Sequence, residues 1–554
     1  MTNNVFKKSL VIGIIILFLG ASIIPFVTSK ETLKTSTFNS TGFTDNCDWI
    51  VDNEGDGDFT NIQDAIDFAI PGQTICVYSG TYFENIEINK QIKLKGYNYE
   101  LGSGNNTGKP IINASFNSHT LIIYSGGNFT SITGFEITGS GTEYKWVNDS
   151  SGSRKRYIYA GIEIVYAMEC SIFDNTIHDN GCGIDCNTEK FVYIENNIIS
   201  NNYDDGIRGF ENLRIIDNYI HHNGIHENFN QGDGIELWTG AVGSYIYNNT
   251  IEYNFIDGIW ADTPNKVNII INIINSNGFC GVHMYGSIGS KIEGNTIQNN
   301  GIYFKEREFA SGIFLQTCNG GSIFKNNIIY NYNGVSLFNC INIHVYENEN
   351  ISYSQKFPQI PPLNGYGIHI KDTKGGNRIS NNNIIFNEND GIGVENSDYN
   401  IIRDNIVKSN KIAGIHLSHT NWNCIINCTL EYNTYSGFAC IFAFCDCIHE
   451  SRIRNNGVYS INAWFSLIFA QNNTWEGVPN FPYSIVIWNG PYTYNKPSLK
   501  PIIIKSNRHL IGNVQKIGKV IGINIDEGKE LLQQFQVLKY YSAMSRRIEK
   551  YDLS

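Results

Sequence analysis

The chain has 554 residues, which is more than one ordinary core requires, so several domains or a repeated unit must organise it. It carries 40 Lys and Arg against 52 Asp and Glu, and the net charge of −12 argues against nucleic acid as a partner, because phosphate-binding surfaces need a basic excess. Charged residues make up only 17%, and much of the remaining polarity comes from 73 Asn. Together with 53 Gly, this composition indicates short strands joined by tight turns rather than a disordered chain or a helical bundle.

The first 29 residues have the pattern of an export signal. Lys7 and Lys8 precede an apolar run at 10–21, and small residues at 27–29 offer a cleavage site. The apolar residues continue to Val27, so an uncleaved membrane anchor at 10–27 is the alternative. Either interpretation predicts that the rest of the chain is exported, as a secreted or cell-surface protein. Residues 30–47 are predicted to be a linker, and nine Asn-x-Ser/Thr sequons in the chain offer acceptors for glycosylation.

Residues 48–82 are predicted to close the N-terminal end of the fold. Ile62, Ile66 and Ala69 form one apolar stripe of a short helix. Thr60 and Gln63 have the spacing of a capping box, in which two side chains satisfy the first free backbone N–H groups. The first strand is expected directly after this helix.

A repeat of about 23 residues dominates the chain from residue 134 onward. Its anchor is a glycine followed by an apolar residue, any residue and a second apolar residue. An Asn-x-Ile-x-x-Asn pattern precedes most anchors, as at 175–180 and 295–300. The intervals of 22 to 33 residues are typical of a solenoid with two or three short strands per unit. The anchors are Gly134, Gly161, Gly183, Gly206, Gly234, Gly258, Gly281, Gly312, Gly334, Gly367, Gly391, Gly414 and Gly437, with a degenerate copy at Ser460.

The repeat predicts an all-β fold, a parallel β-helix of about twelve to fourteen coils over residues 48–475. Alternate apolar residues must point inward, and each strand pairs with the equivalent strand one coil away, about 4.8 Å along the axis. An Asn at the same point of every coil tolerates the left-handed backbone region and can bridge neighbouring coils through its amide. A leucine-rich repeat is the main rival, but Ile and Asn dominate here. Residues 476–554 are predicted to form a C-terminal cap with a helix at 526–551.

The coils resemble the right-handed parallel β-helix (PbH1) repeats of the pectin-lyase-like superfamily, especially exported archaeal and bacterial β-helix proteins related to NosD. The N-terminal segment is similar as well, and it reads Asp56-Gly-Asp-Phe-Thr-Asn-Ile-Gln-Asp-Ala-Ile and then Pro71-Gly-Gln-Thr-Ile-Cys-Val-Tyr-Ser-Gly-Thr-Tyr. The resemblance implies the fold and the N-terminal capping helix. It does not imply one chemistry, because enzymes, binding proteins and spike proteins share this architecture.

Two columns of side chains are predicted to point outward, at the second and fourth positions after each anchor glycine. Glu136 begins the first column. A merely solvated face would carry Thr, Ser, Asn and Lys, whereas this one clusters aromatic and charged residues on successive coils. Sugar rings stack on aromatic side chains while charged groups bind hydroxyls. We therefore expect a lateral groove that binds an extended polysaccharide or cell-surface glycan through Glu163, Phe210, Trp238, Trp260 and Tyr285.

Long insertions precede several of the strands that carry these columns, at 143–159, 222–232, 302–311 and 352–366. Loops of unusual length are often functional, and these are expected to wall the groove. Neutral variation in loop length is the alternative. If the loops cover the aromatic residues instead, the protein is better described as a non-catalytic structural or adhesion rod.

Acid–base chemistry in the same groove is the alternative function, as a polysaccharide lyase or glycoside hydrolase. Hydrolysis needs two carboxyl groups about 5–10 Å apart, and Asp185 and Glu236 lie two coils apart. A lyase needs a base and a cation beside the uronate, for which His283 and Arg208 are the candidates. Because any ladder of outward acids provides such distances, the residues leave open whether the protein is an enzyme.

Aspartates precede the anchor glycine on three successive coils, at Asp205, Asp233 and Asp257. Carboxylates at this pitch suit Ca²⁺, and the alternative is turn capping by Asp-Gly. No other cofactor is indicated. Copper, which the resemblance to NosD would suggest, finds little support, because Met is scarce and the outward histidines are separated by two or three coils.

The cysteines number 13, an odd count for an exported chain. Cys318 and Cys340 share one offset from their anchors, and Cys424 and Cys447 share another. One coil of separation places each pair within disulfide range, so both are predicted disulfides. Stacked free thiols are the alternative.

Overall fold

The computed structural model describes residues 46–489 and 502–505, apart from 103, 105, 150–151, 188–190, 225–231, 239, 302–309, 355–364 and 482–483. The chain divides between Asn46 and Cys47, and the structure concerns the second unit. The predicted export signal, most of the linker and the predicted terminal helix lie outside the described residues. Within them, no helix is both long and apolar enough to span a bilayer.

Three parallel sheets wind around one axis, so the predicted parallel β-helix is confirmed. Sheet I has 15 strands, at Ile86–Ile88, Leu121–Ile123, Ala160–Val165, Cys182–Asn187, Ile207–Gly209, Ile235–Leu237, Ile259–Asp262, Val282–Tyr285, Ser311–Gln316, Asn333–Phe338, Ile368–Lys371, Ile392–Glu395, Ala413–Ser418, Ser436–Ile441 and Tyr459–Trp464. Sheet II has 16, at Thr81–Tyr82, Ile111–Asn113, Glu136–Thr138, Thr176–His178, Ile198–Ser200, Tyr219–His221, Thr250–Glu252, Ile273–Asn275, Thr296–Gln298, Asn327–Ile329, Asn350–Ser352, Asn383–Ile385, Ile406–Lys408, Thr429–Glu431, Arg452–Arg454 and Thr474–Trp475.

Sheet III has 19 strands and continues beyond the predicted end of the β-helix at residue 475. Its last two strands pair in parallel with the rest, so part of the predicted C-terminal cap extends the solenoid. The strands are Trp49–Val51, Thr74–Val77, Lys93–Gly96, Ser131–Thr133, Cys170–Phe173, Val192–Glu195, Leu213–Ile216, Tyr245–Tyr247, Asn268–Ile270, Ile288–Glu293, Asn319–Phe324, His344–Tyr346, Arg378–Ser380, Ile401–Arg403, Cys424–Ile426, Phe444–His449, Leu467–Gln471, Ile485–Asn489 and Ile502–Lys505.

Sheet I has one strand more than the largest predicted number of coils, because its first two strands carry no glycine anchor. Among the predicted anchors, the first that belongs to sheet I is Gly161 and not Gly134. The strand after Gly134 lies in sheet II, where Glu136 pairs with Thr176. Ile122 is the partner of Glu163 in sheet I, so Glu136 does not belong to the outward column.

Ladders of buried Asn join successive coils at the turns, as the repeat predicted. Between sheets III and II, the backbone N–H of Asn249 donates to Oδ1 of Asn272 at 2.9 Å, and its Nδ2 donates to the same oxygen at 3.0 Å. Nδ2 also donates to the carbonyl of Ile215, one coil back. A second ladder between sheets II and I includes Asn254 and Asn277. The amides therefore satisfy turn backbone groups that lie out of reach of water.

A short helix, Ile62–Phe68, covers the N-terminal end with its apolar stripe buried. The predicted capping box is wrong, because the first residue before the helix is Asn61 and its side chain makes no capping bond. The carboxylate of Glu84 accepts hydrogen bonds from the N–H groups of Ile62 and Gln63 instead, at 2.8 and 2.9 Å. A distant carboxylate thus performs the function that the local pattern predicted for Thr60.

Two disulfides join described cysteines. Cys424 and Cys447, one of the predicted pairs, lie in register on neighbouring strands of sheet III and are bonded, with Cα atoms 4.8 Å apart. The predicted bond between Cys318 and Cys340 is not formed, and both are buried free thiols. The Cys340 sulfur instead accepts a hydrogen bond from the Cys318 N–H at 3.4 Å, taking the place of an Asn in the turn ladder. The other disulfide, Cys47–Cys76, was not predicted, because its partners lie outside the repeat.

Candidate functional site

The outer face of sheet I carries a row of side chains in strict register, which we call the outer row. Each member is the second residue after its anchor and pairs with its counterpart on the next coil. The row continues in the same register through the later coils. Its members are Glu163, Asp185, Arg208, Glu236, Trp260, His283, Phe314, Ser336, His369, Gly393, His416, Ala439 and Asn462.

The early part of this row is not an open groove. The predicted wall at 143–159 forms an antiparallel hairpin, Tyr144–Asp149 and Gly152–Tyr157. The backbone of Tyr157 contacts the row directly, because its carbonyl accepts from Arg208 and its N–H donates to Asp204, at 2.8 and 3.0 Å. The hairpin therefore lies across the coils of Arg208 and Glu236, which also carry the predicted glycan-binding residues Phe210 and Trp238.

Arg208 is enclosed in what we call the central charge cluster, with Asp185 and Asp204. Its Nε and Nη2 donate to Asp185 at 3.1 and 2.7 Å, and Nη1 donates to Asp204 at 2.8 Å. Only 1% of the arginine is exposed. Desolvation lowers the pKa of Arg208, but the surrounding carboxylates outweigh it and hold the pKa well above the usual value. Arg208 and Asp185, predicted to act on substrate, thus bind each other.

Glu236 and Trp238 are also bound by other side chains of the protein. Arg156 from the hairpin donates to Glu236 at 2.8 Å, and its guanidinium lies 3.9 Å from the centroid of the Trp238 ring. The indole N–H donates to Glu236 at 2.9 Å, and Phe210 packs edge-on against the indole with centroids 4.5 Å apart. The Trp238 face predicted to stack on sugar therefore stacks on Arg156.

Trp260 is buried as well, with 5% of its surface exposed, so the prediction that it is an open stacking platform is wrong. Its ring and that of Phe314 lie on either side of His283, with centroids 4.3 and 4.7 Å from the imidazole. Nδ1 of His283 lies 3.2 Å from Asp257. Tyr285 is half-buried at the fourth position of the same strand.

Glu163 lies at the N-terminal end of the outer row, in a hydrogen-bonded pair with His119. The His119 Nε2 and Glu163 Oε2 atoms are 2.7 Å apart. Nδ1 of the same ring accepts from the Ala160 N–H at 3.1 Å, which fixes the imidazole against the strand. Glu163 remains half-buried and is placed beside a titratable group rather than beside an aromatic platform.

The aspartates predicted to bind calcium cap turns. Asp205 Oδ1 accepts the N–H of Asp233, and Asp233 Oδ1 accepts the N–H of Asp257, both at 2.9 Å. Asp257 in turn accepts the N–H of Cys280 at 2.7 Å. Among the described residues, three groups of His, Cys, Asp or Glu have ligand atoms within 4.8 Å of one another, and none contains Asp205 or Asp233. The geometry favours the capping alternative for this ladder.

A more open part of the outer row surrounds His416. Its Nδ1 lies 3.1 Å from Asp390, and 32% of the imidazole is exposed. Burial opposes protonation, but the Asp390 carboxylate outweighs it, so the pKa of His416 lies above the usual value. Its neighbours in the row are small, Gly393 on one side and Ala439 on the other.

Charged groups flank His416 at the fourth positions of the preceding strands. Glu395 accepts from the Tyr366 hydroxyl at 3.2 Å and lies 3.6 Å from His369 and 4.0 Å from Lys371. His369, together with Lys371 and Tyr366, lowers the pKa of the Glu395 carboxyl to about 2, against the opposing effect of burial. This end of the row therefore combines an ionised acid, a lysine and an imidazole.

Aromatic residues lie two coils further along. Trp464 is 40% exposed, and its N–H donates to Asn462 of the outer row at 3.0 Å. Phe442 and Phe465 stack at the adjoining turn with centroids 5.3 Å apart. With a rise of about 4.8 Å per coil, Trp464 lies roughly 10 Å along the axis from His416. We call this surface, from Lys371 to Trp464, the distal surface.

The sequence analysis placed His416 among the outward histidines, too far apart for a shared copper site, and did not pair it with Asp390. The signal was present, because an Asp directly before an anchor is followed 26 residues later by His at the second position of the next coil. Asp257 and His283 have the same spacing and the same contact. A search of adjacent coils for acid–base pairs would have found both.

Two family descriptions match the chain. The right-handed β-helix region matches residues 160–309, and the periplasmic copper-binding protein NosD matches residues 362–494, which include the distal surface. The protein is thus a right-handed parallel β-helix. No curated protein gives a significant match.

The chain is similar to several solved structures at low sequence identity. The periplasmic alginate epimerase AlgG is 13% identical, covering 74% of this chain and 82% of its own, with a TM-score of 0.29. Pectate lyase Pel9A is 14% identical, covering 58% and 70%, with a TM-score of 0.28. The N-terminal fragment of bacteriophage Phi29 gene product 12 is 12% identical, covering 80% and 93%, with a TM-score of 0.40.

The described residues of the NosD-like region do not fit a copper site. Ligand atoms of Cys424, Cys447 and His449 lie within 4.8 Å of one another, but the two sulfurs are joined as a disulfide and are not thiolate donors. His369 and His416 lie two strands apart, and each faces a carboxylate.

Proposed function

We propose that this protein is exported and binds an extended polysaccharide along the distal surface of sheet I. The observation that carries the proposal is the placement of His416 and Trp464 on one face, about two coils apart. That separation is comparable to two sugar residues. The exposed indole offers a platform for a sugar C–H face, and the imidazole and charged groups offer hydrogen bonds to hydroxyls.

The register of the coils favours an extended ligand over a small one. Lys371 and Glu395 are paired in register at one end of the distal surface, and Ile441 and Trp464 are paired at the other. Because each coil repeats the same spacing, a polymer can contact successive coils with successive units. The glycan-binding function inferred from the sequence is therefore kept, but its centre moves from the coils of Gly206–Gly281 to those of Gly367–Ser460.

Acid–base catalysis at His416 is a second candidate, favoured by the Asp390 contact. When Nδ1 carries a proton, the Nδ1–H group donates a hydrogen bond to Asp390, which orients the ring and leaves Nε2 as the basic atom. A polysaccharide lyase would use such a base to remove the proton from C5 of a uronate, and expulsion of the sugar linked at C4 would then leave a double bond. Lys371 is the nearby cation for the uronate carboxylate.

Replacement of Trp464 by Ala should weaken polysaccharide binding about fivefold, since ring stacking contributes about 1 kcal/mol. The measurement is titration calorimetry with the full exported protein against neutral, uronate-containing and amino-sugar polysaccharides. The matched control is Phe444→Ala, which removes an exposed ring of sheet III and should leave binding unchanged. Equal binding by wild type and Trp464→Ala, or equal losses in both variants, would contradict the proposal.

Replacement of His416 by Gln separates the two candidate functions. In a binding protein this variant loses affinity, and neither it nor the wild type releases unsaturated or reducing ends. In a lyase it retains binding, while the unsaturated products formed by the wild type disappear. Absorbance of unsaturated uronates and an assay for reducing ends, run on the same polysaccharides, distinguish these results.

A further inference from the structure

Three acidic side chains converge at the N-terminal end of the β-helix, far from the distal surface. Ligand oxygens of Asp52, Glu54 and Glu100 all lie within 4.8 Å of one another. Asp52 directly follows the first strand of sheet III, and Glu100 comes from the loop after the third. Two separate segments therefore bring like charges together at one point.

Asp52 shows that this cluster is more than a group of solvated acids. Its surface is 0% exposed, and its Oδ2 accepts the N–H of Asp56 at 2.9 Å. Oδ1 is buried and has no hydrogen-bond partner in the described part of the chain. A buried carboxylate oxygen without a donor costs free energy unless a cation or donor reaches it.

Glu100 has the same deficiency. Both of its carboxylate oxygens are buried and lack hydrogen-bond partners among the described residues. None of the ion pairs between described residues includes Asp52, Glu54 or Glu100. The cluster thus has unbalanced negative charge and unfilled oxygen lone pairs.

Glycines let the loop approach these oxygens. A Cβ added to Gly104 would lie 1.9 Å from Oε2 of Glu54 and 2.7 Å from Oε1 of Glu100. A Cβ on Gly102 would lie 1.9 Å from Oδ2 of Asp56. The loop backbone therefore lies directly against the acidic side chains, with no room for a larger residue at either glycine.

The spacing of the acids has a chemical meaning. Asp52, Glu54 and Asp56 alternate and are followed by Gly57, a pattern close to the first half of calcium-binding loops, in which alternate oxygen ligands precede a glycine. The position normally occupied by Asp or Asn holds Glu54, and Glu100 supplies a carboxylate from outside the loop. All the candidate ligands are hard oxygens, which favour Ca²⁺ over transition metals.

We propose that Asp52, Glu54 and Glu100, with Asp56 beside them, form a Ca²⁺ site that ties the first strand to the loop after the third. The ion neutralises the carboxylates and fills the buried lone pair of Asp52. Its position in the first coils of the solenoid suits a clamp, because a terminal coil has a neighbouring coil on only one side. This site is distinct from the Asp205, Asp233 and Asp257 ladder, in which a backbone N–H group already binds one oxygen of each carboxylate.

The test uses the full exported protein, freed of metal with EGTA and then titrated with CaCl₂. The expected result is one bound ion and a melting temperature that rises by several degrees at saturating Ca²⁺, since a ligand of the native state stabilises it. Tb³⁺ luminescence excited through nearby tyrosines should report the same site. MgCl₂ is expected to bind at least tenfold more weakly, because Mg²⁺ demands a tighter octahedral shell.

The double variant Asp52→Asn, Glu100→Gln should lose this binding at least tenfold, while Glu169→Gln, an exposed acid on another coil, should bind as wild type does. The order of the two melting temperatures should also reverse between the two buffers. In EGTA the double variant should melt at or above the wild type because repulsion is removed, and in CaCl₂ it should melt below. Absence of one-site Ca²⁺ binding, tighter binding of Mg²⁺, or a double variant that melts below wild type in both buffers would overturn the proposal.

Discussion

Replacement of Ile274 by Asp should unfold the β-helix, whereas Ile273→Asp on the same strand should leave it folded. Ile274 is 0% exposed and lies in register with Ile251 and Ile297 in the core, while its neighbour is 46% exposed on the outside of sheet II. An aspartate inward has no partner and stays charged only at a cost far larger than the stability of a typical domain. An aspartate outward is solvated. The two variants differ by one position and carry the same change of charge.

The measurement is thermal unfolding followed by circular dichroism, with soluble yield as a second readout. Wild type and Ile273→Asp should melt within a few degrees of each other. Ile274→Asp should show no cooperative transition or should accumulate as insoluble protein. If Ile274→Asp melts like wild type, or if Ile273→Asp is the variant that fails, the inward and outward assignments of this sheet are reversed.

The register of sheet I could be predicted because one glycine anchor marks each coil. Gly234 and Gly258 give the pairing of Glu236 with Trp260 by counting alone, and the structure has that pairing. The Asn ladders were predictable for the same reason, since an Asn at a fixed offset meets its copy on the next coil. Counting fails at Gly134, where the same four-residue pattern occurs in another sheet.

The exposure of the outer-row side chains could not be predicted from the repeat spacing. Alternation assigns a residue to the outer side of a strand, but it does not say what covers that side. Arg156 reaches Glu236 across 80 residues of sequence, through a hairpin whose path no local pattern specifies. The predicted wall of the groove thus fills part of it, and the aromatic residues expected to meet sugar meet an arginine or one another.

Contacts between residues at different positions of adjacent repeats were also missed, because the sequence analysis compared only residues at equal offsets from the anchor. Equal offsets predicted Cys424–Cys447 but also Cys318–Cys340, where the second sulfur serves as a turn acceptor. Asp390 and His416 occupy different positions of adjacent repeats, so columns read one at a time do not bring them together. Glu100 and Asp52 lie in segments that precede the regular repeat, where register gives no guidance.

Replacement of Arg208 by Met should destabilise the protein by about 3–5 kcal/mol, because it leaves Asp185 and Asp204 buried without their shared cation. The triple variant Arg208→Met, Asp185→Asn, Asp204→Asn should recover much of this loss, since neutral amides remove the uncompensated charge. The control is Arg214→Met, whose guanidinium is partly exposed and donates to a single carbonyl, that of Gly243. It should cost less than about 1 kcal/mol.

Urea unfolding monitored by tryptophan fluorescence measures these free energies, and the polysaccharide titrations described for Trp464 provide the second readout. The central charge cluster is expected to hold the hairpin and two adjacent coils together, so Arg208→Met should lower stability without selectively removing ligand affinity. If Arg208→Met unfolds like wild type but no longer binds polysaccharide, Arg208 contacts the ligand as the sequence suggested. In that event the hairpin must open during binding, because Tyr157 and the two aspartates occupy the guanidinium when it is closed.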